Sequence, residues 1–402
     1  MKDYIERPLY IDRIKPYIGR SLIKVITGQR RVGKSCMLMQ VRDLIMEKDH
    51  DTHIIFINKE QHEFAPITDH VTLLEYVGLH SKGKGKVALF IDEIQEIDSF
   101  EVALRDLSTR KKFDIYCTGS NARLLSGELA TLLAGRYIEI RVYGLSYSEY
   151  LMFRDAADSP DSFRKYLREG GLPYLIHLGT DINVVNEYLN TLYSTILLKD
   201  VVARYNVRNV KFLESLVLFL ADNTGSIVSA KKISEYLKSQ NINISTQVVI
   251  DYIGYLESSF MIHRVRRTGI RGKRLFEIGE KYFFGDTGIR NVIAGYNLAD
   301  VHKMLENIVF LHLRTAGYEV TVGSENGKEI DFIASRGGER IYVQVAYLLE
   351  KPETAQREFG NLLGISDNYP KYVVTMDELN ETSSYQGIQR MHVKDFCRMM
   401  AG

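Results

Sequence analysis

Residues 28–35 read Gly28-Gln29-Arg30-Arg31-Val32-Gly33-Lys34-Ser35, a complete G-x-x-x-x-G-K-[ST] run. Few octapeptides restrict a fold more tightly, because the loop has meaning only between a buried strand and a helix. Leu22-Ile-Lys-Val-Ile-Thr27 supplies the strand, and Cys36 to Ile45 supplies the helix. In such a loop successive backbone N–H groups turn inward and the helix N-terminus adds its positive dipole end. Glycine at 28 and 33 lets the backbone approach a phosphate without a Cβ in the way. The spacing expects Lys34 to reach the β/γ-phosphates and the Ser35 hydroxyl to ligate Mg²⁺. Residues 28–36, Cys36 included, are the expected phosphate cradle.

A second motif agrees with the first. Val87-Ala-Leu-Phe-Ile91 ends in Asp92-Glu93. A buried strand there delivers carboxylates to its C-terminal edge, where open α/β sheets bind ligands. Asp92 is the expected Mg²⁺ ligand, directly or through water. Glu93 is the expected residue that polarises attacking water, which implies hydrolysis rather than binding alone.

Phe113-Asp-Ile-Tyr-Cys117 reads as a further strand, ending in Thr118-Gly-Ser120-Asn121. Ser120 and Asn121 either face the γ-phosphate and orient water or form an ordinary polar turn. Residues 124–135 read as a helix closed by glycine, and 137–143 as a strand. Arg136 between them is either an arginine finger for a neighbouring subunit or a surface residue favoured by the helix dipole. In the lead-in, Tyr10 or Ile11 either flanks a nucleotide base or packs on the core.

At 402 residues the chain has room for two to four cored domains. Its net charge of +1 selects no partner class. The three cysteines, Cys36, Cys117 and Cys397, stand in no metal-ligand or disulfide spacing, which fits a reducing, cytoplasmic setting. A charged N-terminus and the lack of a run near ~20 apolar residues argue against a signal peptide and a membrane span.

The chain divides by rhythm into 1–145, 146–210, 211–285 and 286–402. The first is an α/β core with strands near 22–27, 54–57, 87–91, 113–117 and 137–143, hence a mostly parallel sheet. Residues 146–210 turn helical, as a lid over a nucleotide would. Residues 211–285 give three helices and a two-stranded wing, 260–265 with 274–278, the pattern of a winged helix. Its wing carries Arg264, Arg266, Arg267, Arg271, Lys273 and Arg274. That cluster either contacts DNA phosphates or the module serves protein packing.

From 286 onward a second α/β unit begins, with a helix at 301–316 bearing Glu306 and strands at 318–322, 329–333 and 340–346. The order resembles the PD-(D/E)xK endonuclease-like fold, with Asp331 and Gln344 at the acidic positions. Its lysine position is Ala346. A neutral Gln344 and no lysine leave little charge to hold a metal, even with Glu306 or Lys328 helping, so a degenerate scaffold without nuclease chemistry is expected.

Thr27–Ser35, Leu89–Gln95, Thr118–Asn121, Leu133–Arg136, Gly170-Gly-Leu-Pro173, Tyr282–Gly288 and Glu329–Asp331 together resemble a prokaryotic family of AAA+-like P-loop ATPases that carry a winged-helix module and a C-terminal endonuclease-like domain. The resemblance spans almost the whole chain. It implies an additional-strand ATPase fold, with ATP and Mg²⁺ as cofactors, and puts Pro173 against the nucleotide. The function expected is an ATP-driven molecular switch or motor, working as a homo-oligomer, that moves its downstream modules on DNA. The alternative is a protein-interaction ATPase in which both downstream modules are scaffolds.

Overall fold

A computed structural model describes residues 4–122, 133, 135–269, 279–325, 328–349, 352–377 and 383–401. Most of the expected helix at 124–135 and the expected strand at 274–278, with Arg271, Lys273 and Arg274, lie outside the described residues. The chain forms two compact units: Met1–Tyr143 with Ser258–Phe260, and Gly144–Glu257 with Met261–Gly402.

The first unit is a five-stranded parallel sheet of order β2-β3-β4-β1-β5. Its strands are β1 (Ile23–Thr27), β2 (His53–Asn58), β3 (Val87–Asp92), β4 (Phe113–Gly119) and β5 (Tyr137–Arg141). Helices α1 (Pro8–Ile14), α2 (Lys34–Lys48), α3 (His70–His80) and α4 (Phe100–Thr109) fill the connections. A parallel strand needs both faces covered, so it reads as a continuous apolar run. β1 and β3 do so, and every residue of each is buried. β4 lies between the strand of the phosphate loop and the strand of Asp92, the additional-strand order. The register pairs Thr27 with Gly119 and Ile91 with Cys117, which brings the C-terminal ends of β1, β3 and β4 to one edge.

The second unit begins with helices α5 (Tyr147–Arg154), α6 (Pro160–Glu169) and α7 (Ile182–Thr195). The helix expected from 183 to about 205 changes to π-type hydrogen bonding over Ile196–Ala203. α8 (Val210–Asp222), α9 (Ala230–Ser239) and α10 (Thr246–Ser258) follow, then β6 (Ile262–Gly269) and β7 (Glu280–Phe284). Beyond them come α11 (Thr287–Ala294), α12 (Val301–Thr315), β8 (Glu319–Glu325), β9 (Lys328–Arg336), β10 (Glu339–Val345), α13 (Pro352–Leu363) and β11 (Lys371–Thr375). β12 (Ser383–Tyr385), β13 (Ile388–His392) and α14 (Val393–Ala401) complete the unit.

β6 covers the first strand of the expected wing, while the second, 274–278, lies outside the described residues. β6 pairs antiparallel with β7 and, through Arg267–Gly269, parallel with β8. Both strands therefore belong to one eight-stranded sheet, of order β12-β13-β11-β10-β9-β8-β6-β7. Hydrogen bonding runs straight across the boundary expected at 285/286. The short apolar alternation of β6 could not reveal its second partner, 55 residues further on, where Arg267 pairs with Val322.

α12 is the spine of this unit. Its buried Met304, Leu305, Ile308, Val309 and Leu313 recur at helical spacing and meet Phe332, Val343 and Phe396. Burying each such side chain contributes about 1.5–3 kcal/mol. Among them His312 is satisfied only as a neutral ring: Nδ1–H donates to the Ile308 carbonyl (2.9 Å) and Nε2 accepts the Tyr147 N–H (2.9 Å). Burial pushes it from its ordinary 6.5 down to about 4. Above pH ~6.5 folded and unfolded chains are both neutral at this residue. As pH falls through that value the unfolded chain takes up a proton that the folded ring refuses, so stability is lost until pH reaches about 4. The expected loss is about 3 kcal/mol across that window. Denaturant melts at stepped pH check it, and His312→Asn is expected to flatten the acid-side slope.

Candidate functional site

The phosphate-loop motif folds as a strand, a glycine turn and a helix. At Gly28 φ is 152° and an added Cβ would lie 2.2 Å from the Val142 carbonyl oxygen, so only glycine fits. Gly33 (φ 94°) caps α2 without a side-chain hydrogen bond, which leaves the first N–H groups of a 15-residue helix for another acceptor. Arg31 adopts φ 69°, a conformation that costs a non-glycine residue about 1 kcal/mol or more. Gln29 is 3% exposed, yet neither its Oε1 nor its Nε2 has a hydrogen-bond partner. An orphaned amide beside a cradle that a Cβ would fill is the arrangement expected of a loop shaped for a polyanion.

Arg7 braces the loop from below, and the sequence reading missed it. It is 3% exposed, and its Nη1 donates to the carbonyls of Val32 and Tyr143, both at 3.0 Å. No motif marks it; only the tertiary fold brings residue 7 beneath residue 32. Tyr10 is fully buried, with its hydroxyl accepting the Tyr143 N–H at 3.0 Å, so it packs on the core rather than flanking a base.

Lys34 is 4% exposed. Its ammonium donates to the Gln29 carbonyl (3.0 Å) and stands 3.8 Å from Glu93 Oε1. Asp92, at the end of β3, is held by the Thr118 and Ser35 hydroxyls; burial raises its carboxyl, and those hydrogen bonds only partly offset the rise. Hydroxyl and carboxylate together form the hard-oxygen donor set that Mg²⁺ takes, with open positions for water and phosphate. Cys36 is half-buried in the first turn of α2, and burial together with the Asp92 charge pushes its thiol up, away from nucleophilic use.

Glu93 follows the strand in a left-handed conformation (φ 55°, ψ 54°) that turns its side chain back over the sheet edge. Burial works to raise its carboxyl. The Lys34 ammonium, the Gln95 amide and the Arg30 guanidinium outweigh that and hold it lower than usual, as the base form. Its N–H donates to Thr118 Oγ1 (2.9 Å), and Ser120 Oγ donates to its Oε2 (3.2 Å). Gln95 also bonds that carboxylate and lies 3.4 Å from Ser120 Oγ. Gln95 was not singled out from the sequence, although it ends the Leu89–Gln95 run. The fold thus brings Lys34, Ser35, Asp92, Glu93, Thr118 and Ser120 together. Asn121 is buried at the same strand end, and Arg136 is exposed just before β5.

Pro173 opens a short 3₁₀ turn, Pro173–Leu178, in the second unit. The turn before it is gripped by Asp286: Oδ2 accepts the Gly171 N–H (2.7 Å) and Oδ1 accepts the Ile289 N–H (3.0 Å). Burial pushes the Asp286 carboxyl up to about 6. A Cβ at Gly170 would sit 2.3 Å from Asp286 Oδ1, and one at Gly288 would sit 2.0 Å from the Glu169 carbonyl. The Gly170–Pro173 and Tyr282–Gly288 motifs are two halves of one interlock.

In the C-terminal sheet, Asp331 and Gln344 stand on adjacent strands, as expected. The expectation of little negative charge is corrected. A cavity of about 740 Å³ is lined by Glu306, Glu329, Asp331 and Glu358 together with Gln344 and Ala346. The ammonium near Asp331 comes neither from position 346 nor from Lys328, which is exposed on the rim. It comes from Lys281 on β7.

Comparison with known proteins places this geometry. Residues 20–151 match the family described as an AAA domain, and residues 160–300 match a domain of unknown function, DUF8612. An uncharacterized protein of Haemophilus influenzae is 36% identical over 98% of this chain and 99% of its own length. The uncharacterized protein MJ1544 of Methanocaldococcus jannaschii is 31% identical over 82% of this chain and 75% of its own. The chain belongs to the family of these relatives, and its N-terminal unit is an AAA-type P-loop ATPase domain. Among solved structures, the replication initiator DnaA bound to AMPPCP and single-stranded DNA aligns at TM-score 0.32 and 15% identity, over 62% of this chain and 86% of that one. The Aeropyrum pernix ORC1 protein in complex with DNA aligns at 0.35 and 11%, over 73% and 93%. Scores this low carry no functional argument. Among the described residues no helix is long and apolar enough to cross a membrane.

Proposed function

We propose that this chain binds ATP with Mg²⁺ and hydrolyses it as a molecular switch. The observation that carries the reading is the Lys34–Glu93 juxtaposition at the sheet edge, with Asp92, Thr118 and Ser120 around it. Residues 28–36 cradle the phosphates, and the orphaned Gln29 amide is among the groups they offer. Ser35 and Asp92 hold Mg²⁺, which would neutralise developing charge on the phosphates. Lys34 leaves Glu93 for the phosphate oxygens, and Glu93, already ionised, takes a proton from the attacking water. Ser120 and Gln95 fix the Glu93 carboxylate, and Asn121 lies close to the same edge. Arg136, exposed, completes a neighbour's site in a homo-oligomer. In this reading residues 1–145 are the motor core, 146–210 the lid, and 211–285 and 286–402 the driven modules.

One observation favours a protein partner over DNA. Arg264, the first residue of the basic wing, is neutralised by Glu257 (3.1 Å) and Glu280 (3.7 Å), and its strand is paired on both sides. The test is steady-state ATP hydrolysis with Mg²⁺, with and without DNA or RNA, using Glu93→Gln as the blank. Turnover indifferent to nucleic acid supports the protein-interaction reading. Stimulation by one nucleic acid, lost on neutralising Arg266, Arg267 and Arg271, reverses it.

Arg136→Ala is expected to cut turnover by about a thousandfold or more, the low end of what an arginine finger supplies, and only under conditions where the chain is oligomeric. Unchanged turnover in an oligomer confirmed by sedimentation rejects the finger.

A further inference from the structure

Gln95 follows Glu93 by two residues and lies in a 3₁₀ turn, Ile94–Glu96. Two backbone hydrogen bonds close that turn: the Glu96 N–H donates to the Glu93 carbonyl and the Ile97 N–H to the Ile94 carbonyl, both at 3.1 Å. Ile94 and Ile97 are buried and anchor the turn on either side of Gln95, which is itself half-buried. Its Nε2 donates to Glu93 Oε2 and lies 3.4 Å from Ser120 Oγ. Its Oε1, the other half of the same amide, is buried and has no hydrogen-bond partner.

Chemistry settles which way this amide points. Turned over, it would set its carbonyl oxygen against the ionised Glu93 carboxylate, two acceptors face to face. Nε2 therefore takes the carboxylate, and Oε1 is left over. A buried carbonyl without a donor is costly, and it calls for a protic partner. Glu93 also keeps one oxygen in reserve. Its Oε2 accepts from Gln95 and from Ser120 (3.2 Å), whereas its Oε1 stands 3.8 Å from the Lys34 ammonium, beyond hydrogen-bond length. A water that attacks phosphorus aims a lone pair at it, so both of its hydrogens need acceptors elsewhere. Glu93 Oε1 and Gln95 Oε1 are two such acceptors, on side chains that are hydrogen-bonded to each other.

We infer that Gln95 is a second catalytic residue of the hydrolysis, its Oε1 accepting one hydrogen of the attacking water while Glu93 takes the other. The inference rests on the ATPase reading proposed above and adds a group to it. The water oxygen bonds to the γ-phosphorus, the bond from that phosphorus to the β,γ-bridging oxygen breaks, and ADP leaves with the electron pair. One water proton passes to Glu93. The other stays on the water oxygen, held by Gln95 Oε1, and departs with the phosphate. Gln95 thus fixes both partners of the proton transfer, the base through its Nε2 and the water through its Oε1.

Three substitutions in the full-length chain separate the two halves of the amide. Gln95→Met removes donor and acceptor, Gln95→Lys keeps a donor for Glu93 without an acceptor, and Gln95→Glu restores the whole pattern whenever its carboxyl is protonated. Each is measured by single-turnover hydrolysis at saturating ATP, by affinity for a non-hydrolysable ATP analogue, and by retention of ADP with tetrafluoroaluminate, which mimics the phosphoryl group with its in-line water. All three variants should bind the analogue like the wild type. Gln95→Met and Gln95→Lys should lose about ten- to a hundredfold in turnover and retain the tetrafluoroaluminate complex correspondingly less well. Gln95→Glu should approach the wild-type rate, compared at the same pH, as pH falls and its carboxyl takes up a proton. Wild-type turnover in Gln95→Lys would reduce Gln95 to a clamp on Glu93 and overturn the inference. Wild-type turnover in Gln95→Met, or analogue binding that falls in step with turnover, would overturn it as well. A wild-type chain that binds ATP without hydrolysing it would remove the ATPase reading itself, and the inference with it; a hydrolysing wild type beside indifferent variants removes the inference alone.

Discussion

Glu93→Gln is expected to hold ATP and lower its turnover by about a hundredfold or more, the usual scale of a lost general base. The substitution preserves shape, so the hydrogen bond from the Glu93 N–H to Thr118 and the left-handed turn survive. What goes is the proton acceptor. The wild-type carboxylate is kept ionised against burial by Lys34, Gln95 and Arg30. A side-chain amide in its place cannot take the proton from water, however well water is positioned. Two measurements decide the matter: single-turnover hydrolysis of radiolabelled ATP, and retention of a fluorescent ATP analogue on the variant. Hydrolysis at the wild-type rate would remove Glu93 from the mechanism. Loss of binding would mean that it shapes the pocket instead.

Lys34→Ala should act one step earlier. A charge-assisted hydrogen bond is worth about 1.5–3 kcal/mol, so ATP affinity should fall by roughly ten- to a hundredfold, with turnover lost in proportion. There is a second effect. Lys34 is the largest influence holding the Glu93 carboxyl down against burial. With the ammonium gone, burial is less opposed, and Glu93 shifts toward its protonated form. Saturating ATP therefore should not restore the wild-type rate. Isothermal titration with a non-hydrolysable analogue gives the affinity, and a rate profile against pH gives the second effect. A variant rescued fully by high ATP would show that Lys34 only binds.

The two motifs of the nucleotide site were legible because each is local: a glycine turn between strand and helix, and an acid pair ending an apolar strand. Both are short-range statements, and the parallel sheet follows from the strands on either side. Arg7 and Gln95 escaped for different reasons. Arg7 acts through backbone carbonyls at residues 32 and 143, which no sequence spacing announces. Gln95 lay within a recognised run but carries no charge to draw notice. The charge around Asp331 was undercounted because only Glu306 and Lys328 were added to the two strand positions, whereas β9, α13 and β7 also supply Glu329, Glu358 and Lys281. The pairing of β6 with β8 went unforeseen because pairing at long sequence separation leaves no trace in local alternation. Asp286 is the converse case: the Gly170–Pro173 and Tyr282–Gly288 motifs stand far apart in the sequence, and one carboxylate ties them together.

The continuity of the eight-stranded sheet bears on how this chain can be cut. Two fragments meeting at 285/286 would sever the parallel pairing of β6 with β8. The N-terminal fragment would present one raw strand edge and the C-terminal fragment another. Unpaired edges of this kind template association with further chains. Fragments for biochemistry should keep residues 261–402 in one polypeptide, and a shuffled or fused variant that splits them inherits two sticky seams in place of one sheet.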